Sequence, residues 1–329
     1  MGEGLGDVED GAEGNADEER SGFAFVVHPS ATEDDLNRMV QAMGGIPTAK
    51  GDPLFPGSAH QARCRVCGLL TEMTEEHLPP RGAFNKQTGR EIDAFSLIGT
   101  DSLEVPEGGS IVQGGIRGYM LCADCNHPKW AREYQEWAHR AYHLLASQDR
   151  KPPEVDPEPG FPGIGRVTFK GVYPGRLIRQ VLSMMAAISG SADLTDAYPV
   201  IRELVLGGPA QPLPDPLRVH FLLYGDNTSR IAGGPTGQAI FDVDAGILRR
   251  VLSVDFPPMA FVLTLEGPPH TQGVDISSFA EVDVSERQDV EFEGLPLGFG
   301  HKPLPLDYRT LGQIIAEGDH PEDAIEGAR

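Results

Sequence analysis

The sequence predicts an α+β protein in which a small module with two cysteine pairs precedes a domain with a mainly antiparallel sheet. Three observations support this class. The four cysteines of the chain form two Cys-x-x-Cys pairs, at positions 64 and 67 and at positions 122 and 125. Two helical segments in the C-terminal half are followed by several consecutive strand-like runs. Because no helical segment separates those runs, the pattern argues against a doubly wound parallel sheet.

The chain has 329 residues, which is long for one hydrophobic core and predicts two folded units. Its net charge of -22 is unevenly distributed. Residues 60–150 contain ten Lys and Arg against twelve Asp and Glu, so this segment carries -2 and the rest of the chain -20. Five of the ten histidines lie in the same segment. A nearly neutral, His-rich segment permits nucleic-acid binding without requiring it.

No apolar run approaches the roughly 18 residues of a membrane-spanning helix, and the N-terminus is acidic where a signal peptide is basic and then apolar. We therefore expect a soluble, cytoplasmic protein. Acidic, glycine-rich residues at the N-terminus lack the apolar surface needed to order them. The expected organisation is a disordered tail (1–21), a zinc-stapled module with an N-terminal extension (22–150), a proline-rich linker (151–165), an α+β domain (166–316) and a frayed tail (317–329).

The first unit is expected to begin with a short strand at 23–27 and a helix at 32–43. The pattern Ser30-x-x-Glu33 is a capping box that opens this helix. After the second cysteine pair, residues 128–147 have helical periodicity, with apolar side chains at 130, 134, 137, 141 and 144. We expect this stripe to pack on the module's own core or on the next unit.

In the second unit, residues 177–189 and 194–206 predict two helices. Its acidic balance disfavours extensive contact with duplex DNA, so we expect a small molecule, a protein or another copy of the chain as its partner. Strands are predicted at 217–224, 238–243, 248–254 and 259–265.

The cysteine pairs predict a structural zinc site. A Cys-x-x-Cys turn places two thiolates on one side of a tight bend, and two such turns fill all four positions of a tetrahedral ion. The 54 residues between the pairs exceed the spacing of compact zinc fingers. We therefore predict that Cys64, Cys67, Cys122 and Cys125 hold zinc and that its binding energy contributes to folding.

Other interpretations of the cysteines fit less well. Disulfides are rare in cytosolic proteins, and a thioredoxin-like redox site needs only one Cys-x-x-Cys pair. A zinc deaminase has His-x-Glu and later Pro-Cys-x-x-Cys. This chain instead has the order Glu76-His77, and no proline precedes either pair.

Two short runs accompany the cysteine pairs. Glu-His-Leu-Pro begins at position 76, between the pairs, and Asn-His-Pro-Lys begins at position 126, directly after the second pair. Over about residues 60–135 this pattern resembles the zinc-bearing HNH endonucleases, also called ββα-metal nucleases. The resemblance implies a treble-clef-like ββα-metal module, in which a β-hairpin supplies an acid and a histidine and a helix begins after the second pair.

The resemblance also implies roles for individual residues. Glu76 and Asn126 would hold a catalytic Mg²⁺ or Mn²⁺, His77 would be the general base, and His127 could replace Asn126 as a ligand. Lys129 lies where the family often has a basic residue. A neutral imidazole can accept a proton from water near neutral pH, and a hard cation can neutralise the departing oxygen. The implied reaction is hydrolysis of phosphodiester bonds in DNA, or in RNA, with 5′ phosphates on the products.

One position departs from the family's pattern. HNH proteins usually have an asparagine five residues before the second cysteine pair, where it braces the loop that holds the general base. This chain has Arg117 there. Its guanidinium can clamp a phosphate through its fork of donors. The same substitution is also compatible with a weakened nuclease.

The proposed site residues also have structural interpretations. Asn126 with Pro128 soon after suits the N-cap of a helix. His77 suits a histidine in a turn. His139 and His143 are four residues apart, which suits a metal pair or an exposed helix surface.

Two functions therefore stand as hypotheses. The first is a metal-dependent DNA endonuclease whose second domain senses, targets or oligomerises, with restriction or anti-phage defence as an analogy. The second is a catalytically silent zinc module that binds nucleic acid or a protein partner. The two hypotheses differ at Glu76, His77 and Asn126.

Overall fold

The structure is a computed structural model that describes residues 25–26, 58, 61–86, 89–91, 110–126, 128–148, 163–190, 192–224, 230–232, 238–242, 247–267 and 273–298. The predicted tails at 1–21 and 317–329 and the predicted helix at 32–43 lie outside these residues. The described chain has the mixed helical and mainly antiparallel architecture expected from the sequence. Within it, no helix has the length and apolar character that crossing a membrane requires.

The described residues before position 150 form short strands and one long helix. Its described elements are β1 (Phe25–Val26), β2 (Gln61–Arg63), β3 (Leu70–Glu72), β4 (Thr74–His77), β5 (Gly89–Glu91), β6 (Ser110–Val112), β7 (Arg117–Leu121) and α1 (Pro128–Gln148). Antiparallel pairs form between β2 and β3, between β4 and β7, and between β5 and β6. The helix predicted over 128–147 is confirmed as α1.

The described residues beyond position 160 form three α-helices, one 3₁₀ helix and most of the described strands. Its described elements are β8 (Gly163–Ile164), β9 (Val167–Val172), α2 (Pro174–Ile188), α3 (Asp193–Ala197), α4 (Pro199–Val205), β10 (Arg218–Tyr224), β11 (Arg230–Ala232), β12 (Gln238–Asp242), β13 (Ile247–Phe256), β14 (Met259–Glu266), β15 (Val274–Asp275), a 3₁₀ helix (Ser277–Glu281), β16 (Gln288–Phe292) and β17 (Leu295–Gly298).

The four predicted strands are confirmed as β10, β12, β13 and β14, which lie side by side in the order β12-β13-β14-β10 with antiparallel pairing. Among the described strands, β1 and β11 extend this sheet on one side, and β15, β17 and β8 on the other. The pairs β1–β12 and β10–β17 are parallel. β9 and β16 form a separate antiparallel pair.

The helix predicted over 194–206 is wrong as a single element, because the structure has the two short helices α3 and α4 there. The break falls at Tyr198, which is extended, with φ −127° and ψ 78°. The following Pro199 disfavours the helical conformation for its predecessor and has no N–H to continue a helix. A proline also begins α2, since Pro174 occupies its first turn and moves the start of that helix before the predicted residue 177.

The two predicted units share one hydrophobic core. Trp137 of α1 is fully buried and stacks on Phe169 of β9, with ring centroids 4.5 Å apart. It also contacts Phe221 of β10 and Phe292 of β16 edge-on. The apolar stripe of α1 is therefore a central part of the core, which explains its helical spacing of large side chains.

Hydrogen bonds also connect the first cysteine pair to the C-terminal helices. Arg202 Nε of α4 donates to the Val66 carbonyl at 3.0 Å, and Thr195 Oγ1 of α3 donates to the Arg65 carbonyl at 3.2 Å. The Arg65 guanidinium in turn donates to the Ala187 carbonyl of α2. The cysteine turn thus has a fixed position against the second half of the chain.

Candidate functional site

The first Cys-x-x-Cys pair lies in a tight turn between β2 and β3. The Cys64 carbonyl accepts a hydrogen bond from the Gly68 amide at 2.8 Å, and the Cys64 amide donates to the Leu69 carbonyl at 2.9 Å. Gly68 has a φ of 74°, a conformation that glycine adopts without steric cost. The turn brings the Cys64 and Cys67 sulfurs within 4.8 Å of each other.

The second pair forms a comparable turn between β7 and α1. The amides of Cys125 and Asn126 both donate to the Cys122 carbonyl, at 3.1 and 3.0 Å. The Cys122 amide lies 3.5 Å from the Cys64 sulfur and donates to it. A backbone N–H directed at a sulfur favours the thiolate form.

The geometry of the four sulfurs fits a zinc ion. All four lie within 4.8 Å of one another, and the Cys67 and Cys122 sulfurs are 3.8 Å apart. A tetrahedral ion with Zn–S bonds of about 2.3 Å separates its ligands by about 3.8 Å. None of the four cysteines forms a disulfide. The predicted quartet is therefore confirmed as a cluster compatible with structural zinc.

The closeness of the sulfurs couples their protonation. The hydrogen bond with Cys125 lowers the pKa of Cys64 to about 4, and the same bond raises the pKa of Cys125. Burial is the main cause that raises the pKa of Cys67 to about 11. One thiolate is thus stabilised by neighbouring thiols, and a divalent cation at the centre would supply the charge that ionises the others.

The strand β4 carries Glu76 and His77, opposite Gly118 and Arg117 of β7. Adjacent residues of a strand point to opposite faces of a sheet. The burial of β4 follows this alternation, because Glu76 is 5% exposed whereas Glu75 is exposed and His77 is only partly buried. The structure therefore does not place the Glu76 carboxyl on the face that carries His77.

The Glu76 carboxyl is enclosed near the first cysteine pair. Burial, reinforced by the charge of Cys64, raises the pKa of Glu76 to about 8, although the Arg65 guanidinium opposes the shift. Among the described residues, Glu76 Oε2 has no hydrogen-bond partner. The amide nitrogen of Asn126 binds the backbone of Glu75 and the side chain of Thr74, and no hydrogen bond within the described chain joins it to the Glu76 carboxyl.

The His77 imidazole has the environment of a neutral base. Partial burial lowers the pKa of His77 from its ordinary 6.5, and the guanidinium groups of Arg81 and Arg117 act in the same direction. A hydrogen bond to the Gly114 carbonyl and the charge of Glu75 oppose the shift. Because one ring nitrogen donates to Gly114, the neutral ring has its other nitrogen as an acceptor.

Arg117 lies beside His77 and forms an ion pair with Glu75. The distance from Arg117 Nη1 to Glu75 Oε2 is 2.8 Å, and the Tyr119 hydroxyl donates to the same oxygen at 3.4 Å. The Arg117 side chain is 47% exposed and that of Glu75 is 36% exposed. Since arginine has five N–H donors, this pairing leaves donors that can reach a phosphate.

Asn126 ties the second cysteine turn to β4. Its Nδ2 donates to the Glu75 carbonyl at 3.1 Å and to Thr74 Oγ1 at 3.3 Å. Thr74 Oγ1 donates onward to the Leu121 carbonyl at 3.0 Å. These bonds hold the start of α1 against the β4–β7 pair and use the amide nitrogen of Asn126, not its oxygen.

The remaining predicted residues lie on α1 or outside the described chain. His127 is not among the described residues. Lys129 is exposed in the first turn of α1. His139 Nε2 lies 3.1 Å from the Gly82 carbonyl oxygen. Within the described chain, neither His139 nor His143 belongs to a group of three or more metal-ligating side chains.

Asn85 is a site residue that no motif in the sequence marks. Its side chain is buried, and Nδ2 donates to the Pro79 carbonyl at 2.7 Å and to the Ile116 carbonyl at 2.9 Å. The Ile116 amide donates back to Asn85 Oδ1 at 2.7 Å. A Cβ on Gly115 would lie 2.3 Å from Asn85 Oδ1, so the glycine pair before β7 is the one signal of this close approach.

A comparison of the chain with protein-family models, curated proteins and solved structures finds no match. Any assignment of function therefore rests on the residues and the geometry described above.

Proposed function

We propose that this chain is an endonuclease that hydrolyses phosphodiester bonds in DNA, with His77 as the general base. The observation that carries the proposal is the environment of His77, a partly exposed imidazole with a lowered pKa beside two guanidinium groups. Such a ring is neutral near pH 7 and can accept a proton from water. The guanidinium groups of Arg81 and Arg117 can bind the phosphate whose ester bond is cleaved.

The order of the elements supports an HNH-type module. β4 and β7 form an antiparallel pair, the second cysteine turn follows β7 directly, and α1 begins at Pro128. The amide of Asn126 holds the start of α1 against β4. Two paired strands followed by a helix are the arrangement that the HNH resemblance implies, with the histidine at the end of the first strand.

Zinc at the cysteine quartet would have a structural role. An ion with four thiolate ligands has no open position for water or phosphate. It would instead join the turn before β3 to the turn between β7 and α1. The orientation of β7, and with it the position of Arg117 opposite His77, would then depend on zinc.

The proposed reaction uses His77 and the two arginines. The acceptor nitrogen of His77 takes a proton from a water molecule while the water oxygen forms a bond to phosphorus. The bond from phosphorus to the 3′ oxygen breaks, and that oxygen takes a proton from solvent. Arg81 and Arg117 stabilise the negative charge that develops on the phosphate oxygens.

The predicted Mg²⁺ or Mn²⁺ site does not fit the described arrangement. The Glu76 carboxyl is buried, and its raised pKa favours the protonated form near neutral pH. A hard divalent cation prefers ionised carboxylate and carbonyl oxygens that are open to water and substrate phosphate. The requirement for a divalent cation stays a prediction from the resemblance, and the steps above do not pass through it.

A catalytically silent zinc module that binds nucleic acid or protein is the alternative. It is favoured by the Glu75–Arg117 ion pair, which engages the arginine opposite His77 in the β4–β7 pair, and by the burial of Glu76. A module that only binds would tolerate replacement of His77, because a general base has no part in binding.

Incubation with plasmid DNA tests the proposal. The protein is assayed with Mg²⁺, with Mn²⁺ and with EDTA, beside His77→Ala and a matched control, His143→Ala, which changes an exposed histidine of α1. We expect cleavage by the wild type and His143→Ala and a loss of about 100- to 10,000-fold in His77→Ala. Equal cleavage by all three would reject His77 as the base. Binding of DNA without cleavage in any arm supports the silent module.

A further inference from the structure

Three aromatic rings meet on the surface of α1, beside the loop that follows His77. The Phe84 ring stacks on the His139 ring, with centroids 5.1 Å apart and an interplanar angle of 28°. It also lies 5.2 Å from the Tyr142 ring, at an angle of 37°. His139 and Tyr142 are three residues apart on α1, so their side chains are neighbours on the helix surface. We call Phe84, His139 and Tyr142 the aromatic platform.

The backbone of Phe84 has an unusual conformation. Its φ is 68°, and it is the one non-glycine residue with a positive φ in the described chain. This conformation is unfavourable for a bulky side chain, and such outliers cluster at functional sites. The Ala83 amide donates to the Pro80 carbonyl at 2.8 Å, and the buried Asn85 anchors the loop on the other side. The loop therefore holds the Phe84 ring against α1 despite the backbone strain.

The aromatic platform is open to solvent, unlike the rings on the other side of α1. Tyr142 is 50% exposed, and it is the one aromatic residue among the exposed large apolar residues of the described chain. By contrast, Trp137 and Tyr134 of the same helix are at most 1% exposed. His139 is also exposed, and Phe84 is partly buried. An exposed cluster of rings in contact is a candidate for binding, whereas apolar side chains that are exposed singly need no explanation.

Two exposed cations lie close to Phe84 in the chain. Arg81 lies between His77 and Phe84 in the chain and is exposed, and its charge acts on the His77 ring. Lys86 is exposed two residues after Phe84. Aromatic rings with exposed cations nearby in the chain match a nucleic-acid strand, in which flat bases alternate with anionic phosphates.

We propose that the aromatic platform stacks an unpaired nucleobase of the strand whose phosphate lies at His77. The inference rests on the proposed function and names its substrate class, which is single-stranded or locally unpaired nucleic acid. A base inside a duplex has neighbours on both faces, whereas an unpaired base can lay one face on an aromatic ring. Arg81 and Lys86 bind the phosphates on either side. Because every base has a π-face, little sequence preference is expected.

Fluorescence anisotropy in EDTA tests the platform separately from cleavage. The probes are a labelled single-stranded oligodeoxynucleotide of mixed sequence and the same strand annealed to its complement. The full-length chain is compared with Tyr142→Ala, Tyr142→Phe and Tyr142→Leu. Leu70→Ala, which changes an exposed apolar residue of β3, is the matched control. Tyr142→Leu serves as a second variant if Tyr142→Ala does not fold. Tyr142 is half exposed, and a leucine there keeps an apolar side chain against Phe84.

We expect tighter binding of the single strand than of the duplex. We also expect a loss of roughly 5- to 150-fold in single-strand affinity in Tyr142→Ala and a clear loss in Tyr142→Leu, with near wild-type affinity in Tyr142→Phe and Leu70→Ala. Unchanged affinity in Tyr142→Ala and Tyr142→Leu, or equal affinity for both probes, would overturn the platform. If the chain cleaves DNA through His77 but gives either of these two binding results, the proposed nuclease function stands and the role of the aromatic platform is rejected. If the chain binds single strands through Tyr142 but never cleaves DNA, the role of the aromatic platform stands and the proposed nuclease function is rejected.

Discussion

The Asn85 carboxamide and the Ile116 backbone hold each other through two hydrogen bonds, from Asn85 Nδ2 to the Ile116 carbonyl at 2.9 Å and from the Ile116 amide to Asn85 Oδ1 at 2.7 Å. The same Ile116 carbonyl accepts a hydrogen bond from the Leu78 amide at 3.0 Å. Two residues before Ile116, the Gly114 carbonyl accepts the bond from the His77 ring. Asn85 thus connects the loop after His77 to the loop that orients the His77 imidazole.

The first prediction concerns Asn85→Ala. The change removes the Asn85 partner of the Pro79 carbonyl and of the Ile116 amide, whereas the Ile116 carbonyl keeps its bond from the Leu78 amide. An unsatisfied buried group costs about 1–3 kcal/mol in the free energy of unfolding. We also expect slower cleavage, because the segment that orients His77 is released. Chemical denaturation and initial rates measure the two effects. Gln113→Ala, which changes an exposed residue of the loop before β7, is the control. It should leave the free energy of unfolding and the cleavage rate near their wild-type values. An Asn85→Ala chain as stable as the control would contradict the anchoring role.

The second prediction concerns the cysteine quartet. Cys125→Ser removes one of four ligands, so we expect zinc content to fall from about one ion per chain and the unfolding temperature to drop. A strong chelator should lower the unfolding temperature of the wild type in the same way. Asp124→Asn, an exposed neighbour in the same turn, should keep its zinc. Elemental analysis measures the zinc content, and thermal melts measure the unfolding temperature. A wild type that is purified without zinc and is unaffected by zinc or chelator would show that the cluster is not a zinc site.

The third prediction separates stability from activity at Arg117. The ion pair with Glu75 is about half exposed, so its loss should change the free energy of unfolding by less than about 1 kcal/mol. If Arg117 binds the reacting phosphate, Arg117→Ala should nevertheless slow cleavage about 10- to 100-fold. Glu75→Gln breaks the same ion pair but keeps the arginine, and should retain cleavage. If Glu75→Gln loses cleavage and Arg117→Ala does not, the Glu75 carboxylate and not the Arg117 guanidinium is the group that cleavage requires.

The fourth prediction is the pH dependence that His77 imposes. Its pKa lies below 6.5 in the folded chain, so the base is neutral above that lowered value and protonated below it. The rate of cleavage should therefore fall on the acid side with a midpoint below 6.5. Because Arg117 is one of the charges that lower the pKa, the midpoint should move to higher pH in Arg117→Ala. A midpoint that stays fixed or moves to lower pH would separate the acid limb from His77.

The lowered pKa of His77 also makes the stability of the folded protein depend on pH. Between the lowered pKa of His77 and 6.5, the unfolded chain binds more protons than the folded chain. The contribution of His77 therefore makes the protein less stable as the pH falls through that window and leaves it unchanged above 6.5. His77→Ala should weaken this part of the pH dependence, measured as the midpoint of urea unfolding.

The fifth prediction concerns the shared core. Trp137→Ala removes a fully buried ring that contacts Phe169 and Phe221, and should cost about 3–5 kcal/mol in the free energy of unfolding. Tyr142→Ala, on the exposed side of the same helix, should cost far less. Both halves of the chain should unfold in one transition, since α1 belongs to both. Two separate transitions in Trp137→Ala, with the C-terminal sheet unaffected, would contradict a common core.

Much of the fold follows from local patterns. The spacing of its apolar residues predicts helix α1, and strand-like runs predict β10 and β14. The zinc cluster followed from the chemistry of two Cys-x-x-Cys turns. Each of these features rests on a short local pattern, and only the meeting of the two cysteine turns joins residues that are distant in the chain.

The details of the site depend on contacts between distant residues. Asn85 bonds to Ile116, 31 residues away, and the partner of Arg117 is Glu75, 42 residues away. Glu76 and His77 are adjacent in a strand, so their side chains point to opposite faces of the sheet. Which of the two is buried depends on the residues that pack against β4. Likewise, the break at Pro199 shows that a periodic apolar pattern does not guarantee a continuous helix. The role of the second half in sensing, targeting or assembly stays a prediction.

Chemical rescue of His77→Ala by free imidazole tests the central claim most directly. His77 is only partly buried, so its removal leaves a space that an imidazole molecule can enter from solvent. We expect imidazole to restore cleavage in a concentration-dependent way, with more rescue as the pH rises through the pKa of the added base. The wild type and Arg117→Ala should not be stimulated. Cleavage by His77→Ala at the wild-type rate without imidazole, or no rescue by any imidazole at any pH in a variant that still folds and binds DNA, would contradict His77 as the general base.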